Sequence, residues 1–293
     1  MWTADKIIYN GIDTYIKAYQ GNTLVWEKTI PIEPTDDITL PYVTFRAEEA
    51  NSQISLNLKS SNQTFEYSKD KTTWKTFSKY GDVSYLNLTN IGDEVYLRGK
   101  LVGNNTSSDY TQFVLRGKIA AYGNCNALWD YENLDAPLKP YCGYKMFDND
   151  NSLLDGALTK TPLLPATTLA ESCYEFMFGN CELLKNVPEI LPATTLAERC
   201  YNGMFYQCGP ITKAPMLPAT TLAAGCYEYM FYACRSLNEI TCLATDMSTP
   251  GYLNYWVTAV SSNGTFYKNP SMTTWTTGEF GIPSGWTVLD YTA

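Results

Sequence analysis

The sequence predicts a mainly β, multidomain chain: a small N-terminal β-meander, an immunoglobulin-like β-sandwich, and a repeat solenoid with one short helix and one strand per coil, closed by a C-terminal cap. Three observations lead there. Short runs rich in β-branched and aromatic residues, separated by turn residues, fill the first 118 positions. A stretch of eighteen letters, LPATTLAESCYEFMFGNC from Leu164, returns as LPATTLAERCYNGMFYQC from Leu191 and as LPATTLAAGCYEYMFYAC from Leu217. After Pro250 the repeat letters stop, and Thr, Gly and aromatic residues take over.

At 293 residues the chain has room for about two domains and a sizeable core. Apolar residues make up 45% and charged residues only 17%, with 23 Tyr and 7 Trp, so it is expected to fold. A net charge of −9 without clustered Lys or Arg argues against nucleic acid as a partner. The absence of His removes the commonest general base and metal ligand. The start, MWTADKIIYNGIDTYIKAYQG, lacks a basic head followed by a long apolar run, and no segment is apolar enough to span a membrane. The expectation is a protein made in a cytoplasm and kept there or released by lysis. Nine Cys is an odd number, so at least one thiol is unpaired, which fits a reducing compartment.

In order along the chain, residues 1–30 read as a meander. Lys6 to Tyr9, Ile12 to Tyr19 and Thr23 to Glu27 are strand-like, with Asn10-Gly11 and Gly21-Asn22 as hairpin turns. Three strands bury little area, so this piece is expected to anchor or oligomerise against a partner. Residues 31–37, with Pro31 and Pro34, read as a linker. Over 38–118, seven runs predict the sandwich: Tyr42 to Phe45, Ile54 to Leu58, Phe65 to Tyr67, Thr73 to Phe77, Val83 to Leu88, Glu94 to Leu101 and Gln112 to Leu115. The Cys and Trp pattern of antibody domains is absent, so only the architecture is implied.

The solenoid is assigned to 119–249. With Cys181, Cys208 and Cys234 as register, YGNCNAL places Cys125 at the same position and MFDNDNSL places Asp150 there, giving spacings of 25, 31, 27 and 26 residues. An apolar residue always follows three later: Leu128, Leu153, Leu184, Ile211 and Leu237. Leu169, Cys173 and Met177 lie four apart, as on one face of a helix. Thr168 with Glu171, and Thr195 with Glu198, fit capping boxes. ELLKNVPEI and RSLNEITCL then read as strands, and 250–293 as the cap that closes the last coil.

Chemical readings of the repeat are weaker than packing ones. A zinc site wants close ligand pairs, whereas the two Cys of each coil are eight apart and no His is present. A nucleophilic Cys lacks a His base. The Cys columns are therefore expected to be packed thiols, with cross-coil disulfides as the alternative. LPATT lacks the Gly of the LPxTG sortase signal. DNDNSLLDG, Asp148 to Gly156, looks like a calcium loop but lacks the bidentate Glu, so a polar loop is expected. No catalytic residue, metal or cofactor is assigned.

Positions that change between copies are not demanded by stacking and are expected to face outward: Glu175, Asn202 and Glu228; Phe176, Gly203 and Tyr229; Gly179, Tyr206 and Tyr232; Asn180, Gln207 and Ala233. The aromatics among them, Phe176, Tyr206, Tyr229 and Tyr232, are the candidate partner-binding residues, against the plain alternative that they only cover the flank of the coil.

The order Cys, three residues, Met-Phe, two residues, Cys, then Leu three later and Pro, over roughly Ala120 to Leu243, resembles BspA-like leucine-rich repeats, with Met-Phe in place of the family's Ala-Phe. Such proteins occur in gut Bacteroidetes and their phages as adhesins or virion appendages. The closing SNGTFYKNP…GIPSGWTV is similar to the ends of such proteins. The resemblance implies no catalytic residues. It implies a phage fibre or head-decoration protein that presents its repeats to a host surface glycan or protein. The N-terminal module would contact another virion protein, and the chain would be a homo-oligomer, trimeric by analogy. A bacterial cell-surface adhesin is the alternative. A glycosidase, which needs carboxylates but no His, is the third, though no copy contributes a distinctive acid pair.

Overall fold

The computed structural model describes residues 8–10, 13–20, 23–30, 34–58, 63–78, 84–150 and 157–292. The chain divides into two compact units, Met1–Thr35 and Asp36–Ala293. The first is a three-stranded antiparallel sheet of β1 (Ile8–Asn10), β2 (Asp13–Gln20) and β3 (Thr23–Ile30) in chain order. Its turn residues Gly11, Gly21 and Asn22 lie outside the described residues.

In the second unit, strands form at each of the seven runs expected for the sandwich: β4 (Val43–Ala47), β5 (Ser52–Leu58), β6 (Gln63–Ser68), β7 (Lys75–Phe77), β8 (Tyr85–Leu88), β9 (Glu94–Leu101) and β10 (Thr111–Arg116). β10, β5 and β8 make one antiparallel sheet, whereas β4, β9, β6 and β7 belong to a larger one. Phe113 of β10 meets Phe45 of β4 and Phe65 of β6, with ring centroids 5.7 and 5.2 Å apart, so the two sheets face each other across an aromatic core. β8 shows the period of a half-buried strand: Leu86 and Leu88 are buried, Tyr85 and Asn87 exposed.

Continuity with the repeats is supplied by β11 (Lys118–Tyr122). It pairs antiparallel with β4 on one side and parallel with β12 (Ala157–Lys160) on the other. Parallel bridges carry the pairing onward at Lys160 with Asn186 and Lys213 with Glu239. They lead to the parallel sheet β13 (Glu239–Cys242), β14 (Thr265–Lys268) and β15 (Thr287–Asp290). One buried apolar cluster extends from Val43 through the repeats to Trp286.

The repeats overturn the expected helix-plus-strand, leucine-rich-repeat solenoid. Among the described residues the only helical segment is the short 3-10 turn Cys125–Leu128. LAESCYEFMFGNC and its counterparts are instead runs of turns. Within them Ser172, Phe176 and Asn180, Arg199, Gly203 and Gln207, and Gly225, Tyr229 and Ala233 all take φ between 49 and 60°. A left-handed residue every fourth position breaks a right-handed helix. The backbone finds other partners, alternating along the run. Cys173, Glu175, Met177 and Gly179 donate their N–H to the carbonyl three residues back. Ser172, Tyr174, Phe176, Phe178 and Asn180 donate to Glu198, Cys200, Asn202, Met204 and Tyr206 of the next copy, at 2.7–3.0 Å. Each left-handed corner costs about 1–2 kcal/mol for a residue with a Cβ. The corner residue's own N–H then spans the gap between copies, so stacking offsets that cost. Nor do the expected capping boxes form: Thr168 and Thr195 pair with each other in a parallel bridge. Of the two segments read as strands after the second Cys, RSLNEITCL contains β13, whereas ELLKNVPEI makes only isolated bridges.

This backbone pattern outlasts the letters. Tyr141 to Asn149 donates to the copy beginning at Ser172, and Gly225 to Ala233 donates in turn to residues 251–258, where Gly251, Tyr255 and Ala259 again take positive φ. The segment expected to abandon the repeat therefore supplies a further copy before β14.

Candidate functional site

The inward columns are occupied by packing. Phe147, Phe178, Phe205 and Phe231 form a ladder with centroids 5.6–5.8 Å apart and rings within 14° of parallel. Phe113 of the sandwich stacks on its first rung at 5.2 Å. Tyr174, Tyr201 and Tyr227 make a second ladder that ends on Trp256. All nine Cys are free and buried. The second Cys column has a specific role: Cys181, Cys208 and Cys234 donate Sγ–H to the carbonyls of Phe147, Phe178 and Phe205, at 3.2, 3.1 and 3.1 Å. Burial pushes the thiols up, to about 12 at Cys142, Cys200 and Cys234 and about 11 at Cys242, so they stay protonated and poorly nucleophilic.

The outward side is different. Phe176, Tyr206, Tyr229 and Tyr232, spread over three copies, are brought together in one half-buried strip. Phe176 meets Tyr206 edge-on at 5.7 Å. Tyr206 stacks on Tyr232 at 4.9 Å and 7°. Tyr229 touches both tyrosines, then stacks on Tyr255 at 5.5 Å and 12°. Tyr255 in turn meets Phe280, and these two are the most open rings, 39% and 52% exposed. Lys145 lies over Phe176 at the other end, 5.7 Å from its centroid.

Local backbone explains the assembly. Phe176, Gly203, Tyr229 and Tyr255 occupy the same left-handed corner of successive copies, which turns the three aromatic side chains outward. Gly203 is needed there: a Cβ would come within 2.4 Å of the Phe176 ring, which lies across it from the preceding copy. Arg199 repeats the device one corner earlier, its stem crossing over Gly225.

Beside the rings runs a fixed polar row. Arg199 holds Glu175 at 2.6 Å and Glu228 at 3.2 Å, and Asn202 and Asn254 donate to the two oxygens of Glu228. Burial and the neighbouring Glu228 carboxylate push the Tyr229 phenol up. The expectation that Glu175 and Asn202 face outward is corrected here: both are buried, held between copies by Arg199 and Glu228. On the far side of Tyr232 lies a groove of about 760 Å³ lined by Glu182, Gln207, Arg235, Ser236 and Ala259 among others.

Sequence reasoning missed Tyr255, Phe280 and Arg199, and placed Gly203 outward without its role beneath the Phe176 ring. Tyr255 carried a signal, lying one repeat length after Tyr229; Phe280 comes from the closing segment and carried none. Of the calcium-like loop, Asp148 is buried, accepting from Asn180 at 2.8 Å and paired with Lys145, whereas residues 151–156 lie outside the described residues. Among the described residues no cluster of acids and Cys is arranged to hold a metal, and no helix is long and apolar enough to cross a membrane. Comparison with family models, curated proteins and solved structures returns no match.

Proposed function

We propose that the chain is a non-enzymatic attachment protein, a fibre or head-decoration component of a virion, that holds a host surface glycan or protein against its aromatic strip. The observation that carries this is the strip itself. Half-exposed rings from four successive copies and the closing segment are aligned on a backbone whose copies are hydrogen-bonded to one another. Aromatic side chains give much contact area at low entropic cost, which is why they dominate binding hot spots. The thiols, the most reactive groups the repeat letters offered, are spent on carbonyls and packing. The resemblance of the repeat letters to BspA-like proteins points the same way. In this reading the β1–β3 sheet is the piece that anchors or oligomerises the chain on the particle. Mass spectrometry of purified virions tests the assignment: the chain is expected among the particle proteins, together with binding of the purified chain to susceptible cells. Its absence from particles, with cell binding retained, would move it to a bacterial adhesin.

A further inference from the structure

If the strip is a contact surface, its chemistry narrows what it contacts, and this step rests on the attachment reading above. We propose that the strip and the groove beside Tyr232 bind a neutral polysaccharide laid along the stack. Sugar rings present flat C–H faces edged by hydroxyl groups, so they need aromatic faces flanked by both donors and acceptors. Tyr206 with Tyr232, and Tyr229 with Tyr255, repeat the rings from one copy to the next, stacked at 4.9 and 5.5 Å, so that each pair offers a ligand its edges and outer faces. That interval follows from the stacking of copies, and it is comparable to the advance per unit of an extended hexose chain.

The flanks fit as well. Glu182 and Arg235 both line the groove, each exposed and without an ion pair among the described residues, so one is free to accept and the other to donate. Gln207 between them does both. Their charges cancel locally. The other cations along the strip are already committed, Arg199 to Glu175 and Glu228, and Lys145 to Asp148 and Asp150. With a net charge of −9 on the whole chain, a polyanion would be repelled. A protein partner fits less well. The dry centre of a protein interface is depleted in charged groups. Here Glu228 and Asn254, both partly exposed, each sit one residue from the ring column, and Gln207 and Arg235 border the other side, so the apolar band is narrow.

Gel electrophoresis of the full chain through embedded mannan, dextran, galactan or xylan, with hyaluronate and polygalacturonate as charged comparators, tests this. At least one neutral polymer should retard the chain. The Tyr206→Ala/Tyr232→Ala double variant should weaken that retention about tenfold or more, the scale of a lost hot spot. Tyr85→Ala, an exposed ring on the sandwich, should leave it unchanged. Should the double variant fail to fold by its thermal melt, Gln207→Ala/Arg235→Ala on the exposed groove wall must lower retention instead. Retardation by no neutral polymer, by the polyanions alone, or to the same degree in the folded variants would overturn the proposal. Cell binding separates the two levels. Binding that survives competition by the neutral polymers but is abolished by protease treatment of the cells overturns the glycan and leaves attachment standing. Absence of any cell binding defeats the attachment reading, whatever the polymers do.

Discussion

The sandwich and the stack share one apolar cluster but satisfy their backbones in opposite ways. In the sandwich, neighbouring strands are antiparallel and each position answers to its own surroundings, from the alternation of β8 to the wholly buried β4: Phe45, Phe65 and Phe113 meet at varied angles. In the stack every second N–H reaches into the following copy. A residue there must suit the same position one copy away, and the Phe rungs are accordingly almost parallel. Sameness between copies is thus the mark of packing, and a position that differs is released from it unless, like Gly203 under the Phe176 ring or Glu175 beside Arg199, it packs against a neighbouring copy. The strip is built at released positions.

The largest test of that contrast is Phe205→Ala. The ring is fully buried between Phe178 and Phe231, so its loss is expected to cost about 3–5 kcal/mol. Phe65→Ala should cost a similar amount in the sandwich. Because β11 belongs to both regions and the apolar cluster is continuous, calorimetry of either variant should show one cooperative transition for residues 36–293. Two separated transitions would show that sandwich and stack are independent.

Next in size is the seam between them. The Asp148 carbonyl accepts from Gln112 of β10, while its carboxylate is buried against Asn180, with Lys145 at 3.3 Å and Asp150 also near Lys145. Desolvation raises this carboxyl from 3.8 to about 6, outweighing Asn180 and Lys145, which lower it. A raised carboxylate binds its proton more tightly in the folded state. Its contribution is therefore fully present below the unfolded value and lost as pH rises through about 6. Relative to Asp148→Asn, the wild-type chain should lose on the order of 2 kcal/mol between about pH 4 and pH 7. Urea titrations of both proteins across that window measure it, and parallel curves would refute the assignment.

Much of this was legible beforehand. Patterns of β-branched and aromatic residues located all seven sandwich strands, and the spacing of Cys173, Met177 and Cys181 marked the inward columns. What the letters could not separate was a helix face from a series of four-residue corners, since both place every fourth residue on one side. A helix turns once per about 3.6 residues, so its face drifts by roughly 40° at each four-residue step, and only three such steps occur per copy. Left-handed corners were signalled faintly by Gly203, Gly225 and Asn180, but Phe176 and Tyr229 at equivalent places hid the pattern. Polar groups such as Glu175 and Asn202 look like surface in the sequence, because their buried partners lie a whole copy away. Of the candidate site, the four rings were found by variation between copies, whereas the row that Arg199 organises needed the fold.

Gly203→Ala and Gly117→Ala compare corners in the two regions. Both glycines have positive φ, and a Cβ would come within 2.4 Å of a neighbour: the Phe176 ring at Gly203, and the Ser52 hydroxyl oxygen at Gly117. Each substitution should cost at least about 1–2 kcal/mol from the backbone alone. Only Gly203→Ala should also displace an aromatic of the strip, visible as altered near-ultraviolet circular dichroism in a protein that still folds.

The smallest expected effect has the opposite sign. Ala233 takes φ 57° and borders the groove, where its N–H donates to Thr258. Glycine adopts that conformation without the Cβ penalty of about 1–2 kcal/mol, but it adds freedom to the unfolded chain worth about 0.4–1 kcal/mol. Ala233→Gly should therefore stabilise the protein by roughly 0.6–1 kcal/mol, the difference between those two terms. At an exposed helix position the same change would destabilise by a similar amount. Since the sign reverses between a helix and a left-handed corner, chemical denaturation of this one variant distinguishes them, and a loss of stability would put the helix back in the repeat.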